Sequence, residues 1–173
     1  KNFDIKLGGA YAVDLKAYHG EKIEVAMFSN VYKNLMADYK VKIDDIKNRI
    51  DIDLNRFNEA SEADAKESLF ITIFIPVKYI GKIELSVNAG TLNITDIENE
   101  HIEVNGKISE VTLQGNKSEI EIDSNLDMQI SVLSHEGALE INQLSATSRL
   151  TLPADYRFRS TKKGIATHIY YER

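Results

Sequence analysis

The sequence predicts an all-β chain built around a β-solenoid, single-stranded β-helix-like, with coils of about 19 residues and an irregular N-terminal β region. Three observations predict it. From Ile83 onward, apolar and polar residues alternate in short bursts, the period of a strand with one buried face. Turn-forming Gly and Asn stand between bursts, at Asn88-Ala89-Gly90, Asn105-Gly106, Gly115-Asn116 and His135-Glu136-Gly137. Apolar positions also recur in columns. Leu85, Val104, Ile122 and Ile141 lie at steps of 19, 18 and 19, and Ile94, Leu113, Val132 and Leu152 at steps of 19, 19 and 20. In a solenoid each column is a stack of like side chains filling a narrow core. An antiparallel β-sandwich accepts the same strand spacing and stays open as the alternative.

The elements follow in order. Phe3/Ile5/Leu7, Val13/Leu15 and Ile23/Val25/Met27 read as strands by their alternation. Lys22-Ile23-Glu24-Val25 repeats the apolar–Glu–apolar triplet of the later coils, which suggests that the repeat reaches back to it. Val41/Ile43 and Ile50/Ile52/Leu54 suit a hairpin across Asp44-Asp45-Ile46-Lys47. Asn58 to Glu67 is acidic and Ala-rich, a loop or one or two helical turns. Ser68 to Pro76 is the most apolar strand and is expected to be central, with Pro76 ending it for want of an N–H. The repeat bursts occupy the chain up to Leu152. Beyond Pro153, Tyr156 to Tyr171 is expected to turn and add closing strands, since an open solenoid end exposes core and unpaired edge groups. The expected organisation is a single domain over 1–173. It comprises a β region at 1–67 with an acidic loop near 56–67, the repeat at 68–152, and cap strands at 153–173.

Composition narrows the function classes. Apolar residues make up 43% and charged residues 28% of the 173, with a net charge of −6. The acidic balance argues against nucleic acid as a partner and against attraction to an anionic membrane surface. No apolar run is long enough to span a bilayer as a helix, so no membrane insertion by this segment is expected. There is no Cys, hence neither a disulfide framework nor thiolate chemistry. The chain starts at Lys1 rather than Met, and an upstream signal or anchor is expected.

Leu69 to Pro76 (LFITIFIP), then KIELSVNAGTLNITDIE, then short repeated rungs, then RLTLPADYRFRS, resemble the bacterial "putative adhesin" family of domains of unknown function. In that family an xLxIxxP strand opens the repeats and an LxLPxxxxF segment closes them. Here the closing segment is Leu150-Thr151-Leu152-Pro153, with Phe158 in the matching place. The resemblance implies a β-helix-like fold, often behind a signal or membrane anchor, and hence an extracellular or cell-envelope location; the absence of Cys fits a cytoplasmic protein equally, and that location stays open. It brings no catalytic residues.

The candidate site is an acidic face. KIELS, HIEVN, EIEID and ALEIN each carry an apolar–Glu–apolar triplet, with glutamates Glu84, Glu103, Glu121 and Glu140; Glu119 and Asp123 share the outward parity of Glu121. In stacked coils the glutamates would stand about 4.8 Å apart and repel by roughly 0.9 kcal/mol per pair at the dielectric of water. Such a face suits a cation-binding strip or a docking surface for a basic partner. Outward strand positions also take charged residues simply to stay soluble, with Lys82, His101, Lys107 and Lys117 at hand to soften the repulsion. A calcium site is not expected, because a flat row of strand carboxylates supplies few of the oxygens that Ca²⁺ takes. A second outward column, Asn93, Thr112, Ser131 and Thr151, reads as a neutral polar ladder, or as a flat face for a sugar. His19, His101, His135 and His168 form no HExxH pair, so no metal is expected. His19 and His135 read as solvated turn residues, and Tyr156, Arg157, Phe158, Arg159, Lys162 and Lys163 as a cap strand with a basic, aromatic character.

No nucleophile elbow, P-loop or dinucleotide fingerprint is present, and no cofactor is expected. The expected function is a non-catalytic binding module of the bacterial cell surface, adhesin-like by resemblance, whose partner is an unidentified protein or glycan. The alternative is a structural scaffold or membrane-tethered regulatory domain. A carbohydrate-active β-helix enzyme ranks below both, because abundant carboxylates alone do not mark a catalytic pair.

Overall fold

A computed structural model describes residues 1–31, 35–57, 62–156 and 168–172. Among these residues the fold is all-β, with a mixed sheet that does not close into a barrel and two short helices, α1 (Leu35–Asp38) and α2 (Glu62–Ser68).

The N-terminal part is organised by one long strand, β1 (Asn2–Tyr18). Its first half pairs in parallel with β4 (Arg49–Arg56), and its second half with β5 (Leu69–Pro76). Along its other side it pairs in parallel with β6 (Ile83–Thr95). β2 (Glu24–Ser29) adds antiparallel to β5, and β3 (Tyr39–Ile46) antiparallel to β4. β5 therefore lies between β1 and β2, the central place its apolar sequence predicts, and Ile71, Ile73 and Ile75 are buried. The β3–β4 ladder continues to Ile46↔Arg49, so the hairpin turns at Lys47-Asn48; the acidic pair Asp44-Asp45 belongs to strand rather than turn. α2 takes up the C-terminal part of the acidic, Ala-rich stretch, with Ala65 buried, while 58–61 lie outside the described residues.

Two parallel ladders grow from β6. On one, β6 is followed by β7 (His101–Asn105), β10 (Glu119–Asp123) and β13 (Leu139–Asn142). On the other, β6 is followed by β8 (Ile108–Gln114), β11 (Gln129–Val132), β14 (Thr147–Thr151) and β15 (His168–Glu172). A short third ladder pairs β9 (Asn116–Lys117) with β12 (His135–Glu136). The turns absorb the steps of 18 and 20, and the apolar columns stay aligned. One inward column is Phe3, Ile83, Ile102, Ile120 and Leu139; the next is Ile5, Leu85, Val104, Ile122 and Ile141. On the second ladder Val13, Leu92, Val111, Ile130 and Leu150 stack likewise. All are buried except Leu139 and Ile141 at the β13 edge, which are half-buried. Each fully buried aliphatic side chain contributes about 1.5–3 kcal/mol relative to exposure, so these columns dominate the fold's energetics.

Two expectations about where the repeat runs are corrected. The repeat reaches back not to Lys22–Val25 but to Phe3-Asp4-Ile5, which pairs with Ile83-Glu84-Leu85; Glu24 and Val25 belong to the antiparallel strand β2. Asn88-Ala89-Gly90 is no chain reversal either. β6 runs through it because β1 offers a continuous partner, and the buried parity changes there from Val87 and Ala89 to Leu92 and Ile94. One repeat later the same place falls between β7 and β8, at Asn105-Gly106, and Gly106 has a φ of +143°.

The third ladder stacks residues at 19-residue steps too, but polar ones. Under Ile97, the buried Asn116 accepts from the Ile97 N–H (2.9 Å) and donates to the Ile94 carbonyl (2.8 Å). His135 stacks on Asn116 and is buried, not the solvated turn residue its Gly-containing context suggests. Its Nε2 faces the Ala138 carbonyl at 3.4 Å, and its Nδ1 has no hydrogen-bond partner among the described residues. Burial pushes the His135 pKa below the usual imidazole value, and the contact with the Ala138 carbonyl offsets only part of this. The folded state thus favours neutral imidazole, whereas the unfolded chain takes up a proton near pH 6.5. Stability is full above that unfolded value and falls as pH drops through the lower folded value. Urea unfolding at about pH 7.5 and about pH 5.5, on either side of the free imidazole value, should show a larger acid loss in the wild type than in His135→Gln. Equal losses would mean that His135 protonates freely in the fold.

Candidate functional site

The predicted glutamates come together. Glu84, Glu103, Glu121 and Glu140 are consecutive partners across β6, β7, β10 and β13, on the outward face of the first ladder. Glu119 and Asp123 flank Glu121 on β10, next to His101 and Asn105 of β7. The row is longer than the repeat. Asp4 pairs with Glu84, Asp51 with Asp4, and Asp44 with Asp51. Seven carboxylates, Asp44, Asp51, Asp4, Glu84, Glu103, Glu121 and Glu140, thus occupy successive positions across seven strands. The three aspartates escaped the sequence reading, although Phe3-Asp4-Ile5 and Ile50-Asp51-Ile52 carry the same apolar–acid–apolar triplet.

Cations on neighbouring outward positions compensate most of this row. Lys42 faces Asp44 at 3.4 Å, Arg49 grips Asp51 with two nitrogens at 2.6 and 3.0 Å, and Lys6 lies 3.8 Å from Asp4. Lys82 bridges two members, Glu84 at 3.1 Å and Glu103 at 2.9 Å. Its hydrogen bond holds the Glu103 carboxyl below the usual carboxylate range and raises the ammonium's own pKa in turn. These are solvent-facing pairs, each a small net term for stability. Of the other expected partners, Lys117, on the third ladder, pairs instead with Glu98, at 3.8 Å.

Compensation thins toward β13. Around Glu121 stand Glu119, Asp123 and Glu140, with His101 as the nearest basic group. The His101 ring lies between two carboxylates, Nδ1 at 3.5 Å from Glu119 and Nε2 at 3.5 Å from Glu121. The Asn142 amide donates to Glu121 (2.9 Å) and to Asp123 (2.6 Å). Partial burial, then repulsion from Asp123, Glu103 and Glu140, pushes the Glu121 carboxyl above the usual range despite His101. Glu140 has no ion-pair partner among the described residues.

The second outward column is also assembled. Asn93, Thr112, Ser131 and Thr151 are successive partners, and Asp14 of β1 precedes them, accepting from the Asn93 amide at 2.7 Å. The two ladders therefore present different outward chemistry, one acidic and one nearly neutral. Of the basic, aromatic segment, Arg157, Phe158, Arg159, Lys162 and Lys163 lie outside the described residues, while Tyr156 packs against the core. Tyr170 and Tyr171 sit on β15, the last strand beyond β14. No helix among the described residues is long and apolar enough to cross a membrane.

No family model matches the chain, and no curated protein matches it. Among solved structures it is similar to one described as a "putative cell adhesion protein" from Clostridium sporogenes ATCC 15579. The two share 9% identity and a TM-score of 0.36, over 98% of this chain and 89% of the other.

Proposed function

We propose that this chain is a non-catalytic binding module of the bacterial cell envelope. In this reading residues 68–152 form a β-solenoid within a single domain, and the carboxylate face docks a partner carrying basic groups. The observation that supports it is the row of seven carboxylates, compensated along most of its length and left under-compensated at Glu119, Glu121, Asp123 and Glu140. An excess of one sign at one end of a flat ladder favours a complementary surface and speeds its encounter. The envelope location rests on the family resemblance in the strand from Leu69 to Pro76 and in the segment from Leu150 to Pro153. No reaction is assigned.

Protease treatment of intact cells expressing the epitope-tagged full-length protein tests the location. Cleavage without lysis is the expected result, and protection until lysis would overturn it. For the face itself, the partner found by screening glycans and envelope proteins should be lost on the double reversal Glu103→Lys and Glu121→Lys, and its binding to the wild type should weaken with added salt. Capture unchanged by the reversal would move the binding surface elsewhere.

The edge at β13 favours a second reading, an assembling scaffold. Among the described residues β13 pairs with β10 alone, leaving backbone groups on its other side open to another strand. Concentration-dependent self-association in sedimentation, abolished by a proline in β13, is its mark; a monomer at all concentrations would dismiss it.

A further inference from the structure

We propose that His101, Glu103 and Glu121 form a three-ligand site for a borderline transition cation of the Zn²⁺ class, at the boundary between the compensated and under-compensated parts of the carboxylate row. The site is independent of what the face docks. His101 and Glu103 are two apart on β7 and so project to the same side, and Glu121 is the direct partner of Glu103 on β10. One ligand atom from each lies within 4.8 Å of the other two. In a tetrahedral zinc site with bonds of about 2.0–2.1 Å, ligand atoms stand about 3.3–3.4 Å apart. The His101 Nε2–Glu121 Oε2 separation, 3.5 Å, already matches that edge, so closing the site asks a small swing of the Glu103 side chain. All three side chains are about a quarter exposed, which leaves room for that swing and for water in the fourth position.

The surroundings orient the donors. The other ring nitrogen, Nδ1, faces the Glu119 carboxylate at 3.5 Å, the carboxylate–histidine arrangement that turns Nε2 toward a metal. Asn142 holds Oε1 of Glu121 at 2.9 Å, leaving Oε2 for the ion. The donor set of one imidazole and two carboxylates suits Zn²⁺ and its neighbours. It suits Ca²⁺ poorly, because that ion takes six to eight oxygens. One group opposes the ion: the Lys82 ammonium, 2.9 Å from Glu103, must be displaced or share its carboxylate.

Isothermal titration of the intact chain with ZnCl₂, and with CaCl₂ as the contrast, tests the site. One Zn²⁺ per chain is expected, with little uptake of Ca²⁺. His101→Gln should weaken Zn²⁺ binding at least about tenfold, as even outer-shell changes cost 10–100-fold. His19→Gln should leave it unchanged, and Lys82→Gln should tighten it by removing the competing cation. Zn²⁺ should shift the His101 ring resonances and raise the melting temperature of the wild type but not of His101→Gln. Absence of Zn²⁺ binding below millimolar concentration, or tight binding indifferent to His101→Gln, would overturn the proposal.

Discussion

Gly106→Ala is expected to destabilise the chain by roughly 3 kcal/mol or more, near the upper end for a single substitution. Gly106 has a φ of +143°, a region that residues with a Cβ rarely adopt. A Cβ on it would also overlap the backbone carbonyl of Val87, one repeat earlier. Neither party can step aside. The Gly106 N–H donates to the Asp123 carbonyl one repeat later, and the adjoining Lys107 N–H donates to the Asn88 side chain one repeat earlier, at 2.9 Å. Gly90→Ala is the comparison. Its added Cβ would come to 3.0 Å from the Tyr11 carbonyl, a tight approach without the unusual φ. Urea unfolding of both variants should rank Gly106→Ala well below Gly90→Ala. A similar cost for the two would mean that the chain relaxes at this corner, and that Gly106 does not lie so close to Val87.

The second large effect concerns position along a column. Ile102 is fully buried, between Ile83 on one side and Ile120 on the other. Ile102→Ala should cost about 2–5 kcal/mol, the transfer of lost methylenes plus the cavity that stacked neighbours cannot fill. Ile141 has Ile122 on one side and is half-buried at the β13 edge. The same truncation there should cost well under half as much, because exposed area and an open side leave little cavity. In a stack where each rung contacts only the next, a middle rung loses two interfaces and an end rung one. Equal costs, read by chemical denaturation, would mean that Ile141 is covered as completely as Ile102.

The parts of this fold legible in the sequence were those set by local alternation and a constant step. Ile83, Ile102, Ile120 and Leu139, and the glutamates one position on, could be aligned from spacing because inward and outward residues alternate within each rung. What spacing does not carry is the partner of a strand far away in the chain. Phe3-Asp4-Ile5 pairs with Ile83-Glu84-Leu85 across about 80 residues, and nothing local to either stretch says so. The triplet at Ile23-Glu24-Val25 misled because alternation gives a strand but not its direction, and β2 runs antiparallel. The same limit hid part of the site. Glu84 to Glu140 were visible as a column, whereas Asp44, Asp51 and Asp4 joined it only through pairings of the N-terminal strands. His135 was misjudged because its Gly-containing neighbourhood marks a turn, but not which side of the turn faces inward.

The shared register of the two ladders makes the length of the protein a countable quantity. A tandem copy of one 19-residue repeat, such as 100–118, would enter between existing strands with its apolar residues, its glutamate and its polar corner all in phase. The array would grow by about 4.8 Å, one strand spacing, and every neighbour would meet the partner it already has. An insertion of a single residue inside a rung would instead turn that rung's apolar side outward. Duplication or deletion of a repeat can thus lengthen or shorten the carboxylate face in whole steps, tuning its reach and total charge without inventing a new interface.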